Sequence, residues 1–471
     1  MIAPGTLRDI FFFKLSSIFI ISLLFFSCVN SKDRKEQKTE KPNIVIIFLD
    51  DSGFSDFDPL TGDLIITPNV DQLAEEGTVY TNFRVPQAIC SASRAALMSG
   101  CYPGRTKVFG AHAPREKGLD PGFALISEQL KLNGYATGFF GKWHLGDIPE
   151  TRPDKRGFDE SAGLMYSNDM WKYHPTNPEF WGRYPLSYWE NGEIIIEDVD
   201  STQQKMLTKW STDYAVKFIE NHKNEPFFLY LPYSMPHVPV FCSNEFEGMS
   251  GKGLYGDVIM ELDYSIGQVM KKLKDLGLED NTMVLFTSDN GPWSVYGNHA
   301  GKTPFREAKA TTFDGGLKSR LIIKYPGVIE SGKTSDKFLY SIDIMPTICA
   351  LTNSPLPENE IDGENISPVL VNDPGFNYSR SYHAFTNGNN FEGVFSEDGR
   401  WKLHLPHNYR SVKEYGKDGK SGEYLQKYIE LTLYDLQNDP FETTNVKNQH
   451  PDIVESLLNS AGEHEATFFS N

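Results

Sequence analysis

At 471 residues the chain exceeds the ~250–300 residues at which a single hydrophobic core stops growing, so two domains are expected. An aromatic content of 13% excludes a disordered polymer, and a formal net charge of −18 argues against nonspecific partners such as nucleic acid or an anionic membrane. An anionic small substrate stays admissible, because charges beyond a Debye length of about 8–10 Å barely reach a pocket.

Residues 1–40 read as a leader and tether rather than as fold. Arg8 and Lys14 bracket the approach to an apolar run over 15–26, too short for the ~20 residues of a membrane span and suited to an export signal. Ser27-Cys28 ends that run before a polar, Lys-rich stretch. The pattern is similar to a bacterial lipoprotein signal with Cys28 lipidated, although Phe25 and Phe26 stand where smaller or aliphatic residues are usual. An ordinary cleaved signal peptide is the alternative. Either way the protein is expected to be exported, to the periplasm or the cell surface. The other cysteines, Cys90, Cys101, Cys242 and Cys349, show no Cys-x-x-Cys spacing and no disulfide framework.

The mature chain opens on a continuous β-branched run over 43–49, a strand buried on both faces, which stops at Asp50-Asp51-Ser52-Gly53. Helices are predicted over 69–77, 125–133, 211–221 and 255–276, and buried strands over 135–140, 227–231, 283–286 and 321–325. This alternation predicts a large doubly wound α/β domain over 41–365. From 366 to 471 short strands over 393–395, 400–405 and 431–436, with a closing helix over 454–461, predict a small antiparallel α+β domain.

Chemistry concentrates at the expected strand ends and loops. Asp50, Asp51, Asp289 and Asn290 form a hard, oxygen-only set suited to Ca2+ or Mg2+. Arg94, Lys142, His144, His237 and Lys309 form a cationic set that could embrace a tetrahedral oxyanion. Between them lies Ala88-Ile89-Cys90-Ser91-Ala92-Ser93-Arg94. If Cys90 opens a helix, Arg94 falls on the same face one turn along, and the helix start favours an anion. Taken singly, Cys90 could be a core cysteine in an Ala-rich helix and His237, between prolines, a rigid turn. Together the residues point to metal-assisted hydrolysis of a phosphate or sulfate ester.

The chain resembles the type I sulfatases through six segments in order: Leu49-Asp50-Asp51-Ser52-Gly53; Cys90-Ser91-Ala92-Ser93-Arg94; Gly134-Tyr135-Ala136-Thr137 with Gly141-Lys142-Trp143-His144; Pro236-His237-Val238-Pro239; Ser288-Asp289-Asn290-Gly291; and Lys309 to Gly316. Tyr434-Asp435-Leu436 with Asp439-Pro440 and Glu442 resembles the family's tail motif. The resemblance implies an alkaline phosphatase-like fold: a large mixed, mostly parallel sheet sandwiched by helices, plus the small C-terminal domain with its antiparallel sheet. It also implies that a maturation enzyme converts Cys90 to formylglycine, whose hydrated aldehyde attacks sulfur. Asp50, Asp51, Asp289, Asn290 and the residue at position 90 would hold one Ca2+. Arg94 and Lys142 would polarise the nucleophile, Lys309 would clamp sulfate, His237 and Lys309 would protonate the leaving alcohol, and His144 would take the proton that restores the aldehyde. Ser167 would support the nucleophile, and His404 is a candidate substrate contact. The substrate implied is a sulfated sugar or aryl sulfate.

His407, like His404, is a candidate to reach over the site from the C-terminal domain and contact substrate; His112, His174, His299 and His383 are candidates for the pocket rim, and Trp171, Tyr173 and Trp181 for a stacking platform. The chain departs from the family pattern at Ala92, where proline is usual, and at Ser99, Cys101 and Phe140. Two other functions are compatible with these residues: a phosphonate or phosphate monoester hydrolase of the same superfamily, and a non-catalytic, Ca2+-stabilised glycan-binding lipoprotein.

Overall fold

The computed structural model describes residues 41–57, 65–373 and 375–470; the export signal and Cys28 lie outside the described residues. The main sheet is built from β1 (Asn43–Leu49), β2 (Thr78–Arg84), β3 (Ala136–Lys142), β4 (Glu160–Leu164), β5 (Tyr188–Glu190), β6 (Glu193–Ile196), β7 (Phe227–Pro232), β8 (Thr282–Ser288), β9 (Lys318–Lys324), β10 (Lys333–Ser335) and β11 (Leu339–Tyr340). Their order is β10-β2-β9-β8-β1-β7-β3-β4-β5-β6, with β11 also on β2. The centre, β8-β1-β7-β3-β4, is parallel, whereas β9 runs antiparallel to both β2 and β8. The sheet is therefore mixed and mostly parallel, as the resemblance implies.

All seven residues of β1 are buried, which explains its unbroken apolar run: helices cover both faces of the sheet and leave no side for a polar alternate. Leu207–Asn221 and Leu254–Asp275 pack on one face, and Cys90–Ser99, Ile126–Leu132 and Ile344–Thr352 on the other. The predicted helix over 454–461 in fact runs Pro451–Phe468. Its inward stripe continues past the predicted end through His464 to Phe468; the polar His464 erases the apolar period in the sequence. Strands β2 and β4 to β6 were not predicted from sequence, because Thr78, Thr81, Glu160, Ser161 and Gly163 interrupt any apolar pattern while the sheet supplies the pairing.

The C-terminal part forms a four-stranded antiparallel sheet from β12 (Tyr382–Asn387), β13 (Asn390–Ser396), β14 (Trp401–His404) and β17 (Thr432–Asp435), with a separate hairpin of β15 (His407–Glu414) and β16 (Glu423–Ile429). Phe385, Val394, Phe395, Leu403 and Leu433 share one apolar cluster with Ile46, Phe83 and Leu321 of the main sheet.

A buried ionic knot fastens the two sheets. Asp314 takes both nitrogens of Arg84, at 3.1 and 2.6 Å, and Lys402 at 2.9 Å. Glu442 binds Lys402 at 2.7 Å and accepts the backbone N–H of Asp314 at 2.7 Å. The tail motif thus holds the segment that carries Lys309. Breaking a buried pair by removing one partner costs about 3–5 kcal/mol, whereas exposed pairs contribute little. We therefore expect Glu442→Ala to lower the thermal unfolding midpoint clearly, whereas Glu423→Ala, which loses only the exposed pair with Lys413, should leave it nearly unmoved; differential scanning calorimetry checks both.

Candidate active site

The site lies at the C-terminal edge of the parallel strands, where ligands bind in open α/β sheets. The register of β1 on β8, ending at Leu49↔Ser288, brings the two acidic turns side by side. The Asp289 N–H donates to Leu49 O at 3.1 Å, and the Asp51 N–H donates to the Asp289 carboxylate at 3.1 Å. Asp51 adopts a left-handed φ of 61°, uncommon for a non-glycine residue and typical of a constrained functional turn. Lys142 ends β3, which Gly141 lets approach β7 closely: a Cβ there would lie 1.9 Å from Pro232 O. Phe140, unexplained from sequence, stacks on Tyr214 of the neighbouring helix at 5.5 Å.

Cys90 is the first residue of its helix, as predicted, and Gly100 ends that helix in the left-handed conformation at φ 69°. The Ala92 N–H donates to Gly110 O at 3.2 Å, a bond proline could not make; this accounts for alanine at the position where the family favours proline. The Cys90 sulfur lies 3.6 Å from Asp50 and 3.3 Å from the Lys309 ammonium. Burial pushes the thiol up to about 12 despite Lys142 and Lys309 nearby, so as a plain thiol it stays protonated.

Lys309 also binds Asp51 at 2.7 Å, while Lys142 binds Asp50 and reaches Ser167 Oγ at 3.2 Å. Arg94 grips Asp289 at 2.9 Å through Nη2, stands 3.6 Å from Asp50 and donates to Lys142 O at 3.0 Å. Burial alone would raise the Asp50 carboxyl, yet Lys142, His237, Arg94 and Lys309 hold it far below the usual range. Asp289 goes the other way, raised by burial and by the charge of Asp50, with Arg94 opposing.

His237 Nε2 stands 3.4 Å from Asp51 and 3.4 Å from Ser167 Oγ. Burial and Lys309 lower its pKa. His144, also left-handed at φ 61°, uses Nε2 toward the His112 carbonyl at 3.0 Å. That bond requires the proton on Nε2 and leaves Nδ1 as a bare acceptor, without a partner among the described residues. Burial and the charges of Lys142 and Arg94 keep the ring neutral. Trp143 turns away and packs on Phe139 and Phe158.

Asp50, Asp51, Cys90 and His237 present atoms within 4.8 Å of one another, a geometry that could hold a metal ion. Asn290 donates its amide to Asp51 at 2.7 Å, while its Oδ1, buried, has no partner among the described residues. An orphaned amide oxygen beside crowded carboxylates is the donor set a hard cation seeks, so the Asn290 oxygen together with Asp50 and Asp51 fits an ion bound through oxygen.

The structure therefore gathers every predicted catalytic and metal residue, with Ser167 among them. His404 is different. It is fully buried on β14, its ring stacked on Phe313 at 4.9 Å and its Nε2 3.5 Å from Glu442. Such a position belongs to the packing around the ionic knot and offers no surface to a substrate. His383 is likewise buried, against Phe338 and Tyr340, and does not rim the pocket; Trp171 is buried with Tyr173 and Phe241 edge-on against it, which is packing rather than a stacking platform. Sequence reasoning missed Trp293, whose ring lies 4.6 Å from the Lys309 ammonium and 5.4 Å from His237; its place three residues after Asn290 was the available signal. It also missed Tyr424, which accepts from Trp293 Nε1 at 2.9 Å, and Arg410, which donates to Lys309 O at 3.3 Å. Both come from the hairpin and carry no local signature.

Comparison with known proteins agrees with this geometry. The sulfatase family model matches residues 42–354, and the model of the N-sulphoglucosamine sulphohydrolase C-terminal region matches 308–464. Arylsulfatase A of Bos taurus is 31% identical over 447 residues, covering 90% of this chain and 87% of its own. The N-acetylgalactosamine-6-O-sulfatase of Bacteroides thetaiotaomicron is 30% identical over 495 residues, covering 91% and 94%. In fold, the crystal structure of the PsFucS1 sulfatase from Pseudoalteromonas sp. superposes with a TM-score of 0.80 at 24% identity, covering 91% and 90%. With its sheet register, acidic turns and cysteine helix in place, the chain belongs to the sulfatase family and is a sulfuric ester hydrolase of the alkaline phosphatase superfamily.

Proposed function

We propose that this sulfatase removes sulfate from a sulfated carbohydrate, through a formylglycine formed from Cys90 by a maturation enzyme and with one Ca2+ held by Asp50, Asp51, Asp289 and Asn290 beside residue 90. The observation that carries the reading is the enclosure of Cys90: one ammonium at 3.3 Å, a carboxylate at 3.6 Å, and Arg94 one helical turn away behind Asp289. The names of the relatives, a sulfatase of N-acetylgalactosamine among them, and the half-buried Trp293 ring beside Lys309 support a sugar ring as the leaving group. Sulfatases use formylglycine and Ca2+ generally; when bound, the ion would neutralise the crowded carboxylates and add positive charge toward the sulfate oxygens.

The protein groups divide the remaining work. Lys309 lies between the nucleophile position and Asp51 and binds the sulfate. Arg94 and Lys142 stabilise negative charge at residue 90, with Ser167 bonded to Lys142. His237 shares with Lys309 the delivery of a proton to the leaving alcohol. His144 offers Nδ1 as the base of the second half-reaction. Residues 41–365 carry this chemistry, and 366–471 add the hairpin beside it. The leader at 1–40 directs export, with Cys28 as the lipid attachment point.

Peptide mass spectrometry of the enzyme from a maturation-competent host should show the Cys90 peptide about 18 Da lighter than unmodified; an unmodified peptide in active protein removes the formylglycine. Cys90→Ala should abolish sulfate release, and Lys309→Ala should lower kcat by about 10²–10³-fold, as loss of a preorganised charge donor does; assays on p-nitrophenyl sulfate and sulfated sugars check both. A calcium chelator should lower both activity and unfolding midpoint, each restored by added Ca2+.

A further inference from the structure

Asp169 is a charged group that the mechanism does not use. It lies in the loop after β4, two residues beyond Ser167, whose hydroxyl is 3.2 Å from Lys142 and 3.4 Å from His237. Its side chain is 8% exposed. One oxygen, Oδ2, faces His174 Nε2 at 3.5 Å. The opposite nitrogen of that ring accepts the backbone N–H groups of Thr176 and Asn177, each at 3.1 Å, which places the proton on Nε2. Trp181 stacks on His174 at 5.6 Å and fixes its plane. The other oxygen, Oδ1, is buried and has no partner among the described residues. A buried carboxylate oxygen left without a donor is costly, and a native site that keeps one is built to meet a donor from elsewhere.

We propose that Asp169, oriented by His174, is a specificity-determining residue that accepts a hydrogen bond from a hydroxyl or amide N–H on the sugar ring bearing the scissile sulfate. The assignment rests on the sulfatase reading: Asp169 follows Ser167, whose hydroxyl is 3.4 Å from His237, and Asp169 and His237 act on one another electrostatically. A fixed negative charge there also repels a second anionic substituent, so the favoured substrate is a neutral, monosulfated sugar rather than a disulfated ring or a uronic acid.

The test compares kcat/KM of wild type and Asp169→Asn on p-nitrophenyl sulfate, a panel of monosulfated hexoses and N-acetylhexosamines, and their disulfated counterparts. Wild type should favour a monosulfated sugar over its disulfated form. Asp169→Asn should lower the sugar-to-aryl ratio at least about tenfold, as loss of a buried polar partner does, and should narrow the discrimination against the second sulfate. An unchanged sugar-to-aryl ratio, or a wild type that cleaves the aryl sulfate and no sugar, overturns the proposal. Should the asparagine variant fail to fold, Asp169→Glu, which keeps the charge and displaces the oxygen, should lose the sugar preference yet retain discrimination against disulfated rings; retention of both overturns the role. No sulfate release by wild type from either class would instead remove the sulfatase reading and this proposal with it.

Discussion

Asp50 is the group on which the rest of the site depends. It has no exposed surface, and three cations, Lys142, Arg94 and Lys309, lie close enough to hold it charged. A buried charge is tolerable only when paired, so the carboxylate dictates that β3, the cysteine helix and the loop before β9 each deliver a cation to the end of β1. Asp50 is shared by Lys142 and Arg94, Arg94 also grips Asp289, and Lys309 spans Asp51 and Cys90. The Lys309 ammonium is thereby held directly beside residue 90.

The arrangement is kept in place from behind. Trp143 and Phe140 anchor the two faces of the Lys142 strand in apolar layers. Lys309 is pinned through its backbone, donating to Pro292 O at 3.0 Å and accepting from Arg410 at 3.3 Å. Beyond it the chain runs into Asp314 and the knot with Arg84, Lys402 and Glu442. A residue more than a hundred positions downstream, Glu442, thereby helps to set where the Lys309 ammonium can stand. Rigid support of this kind is what electrostatic stabilisation of a transition state requires, since dipoles and charges that must reorganise lose much of their effect.

Much of this was legible in the sequence because it is written locally. The all-apolar 43–49 run states a strand buried on both faces, and the carboxylates at its end state a ligand edge. The Cys90–Arg94 spacing states a shared helix face, and the structure starts the helix at Cys90 itself. The Ala92 departure was visible but not its cause, since Gly110 lies far along the chain. The helix at the C-terminus was read too short because His464, polar in isolation and beyond the last predicted residue, is buried by partners the local pattern does not name.

What the sequence by itself determined, then, is the inventory and the order: hard oxygen donors, a cationic set, a cysteine with an arginine one turn on, and strands to carry them. The motifs already named His237 and His144; only the tertiary structure decided about the histidines outside any motif, folding His404 and His383 into apolar layers. The same holds for Trp293, Arg410 and Tyr424, whose places arise from contacts between distant segments. The physical reason is that side-chain chemistry and short-range periodicity are local properties. Burial, orphaned hydrogen-bonding atoms and the company a charge keeps depend on sheet register and on the packing of one segment against another.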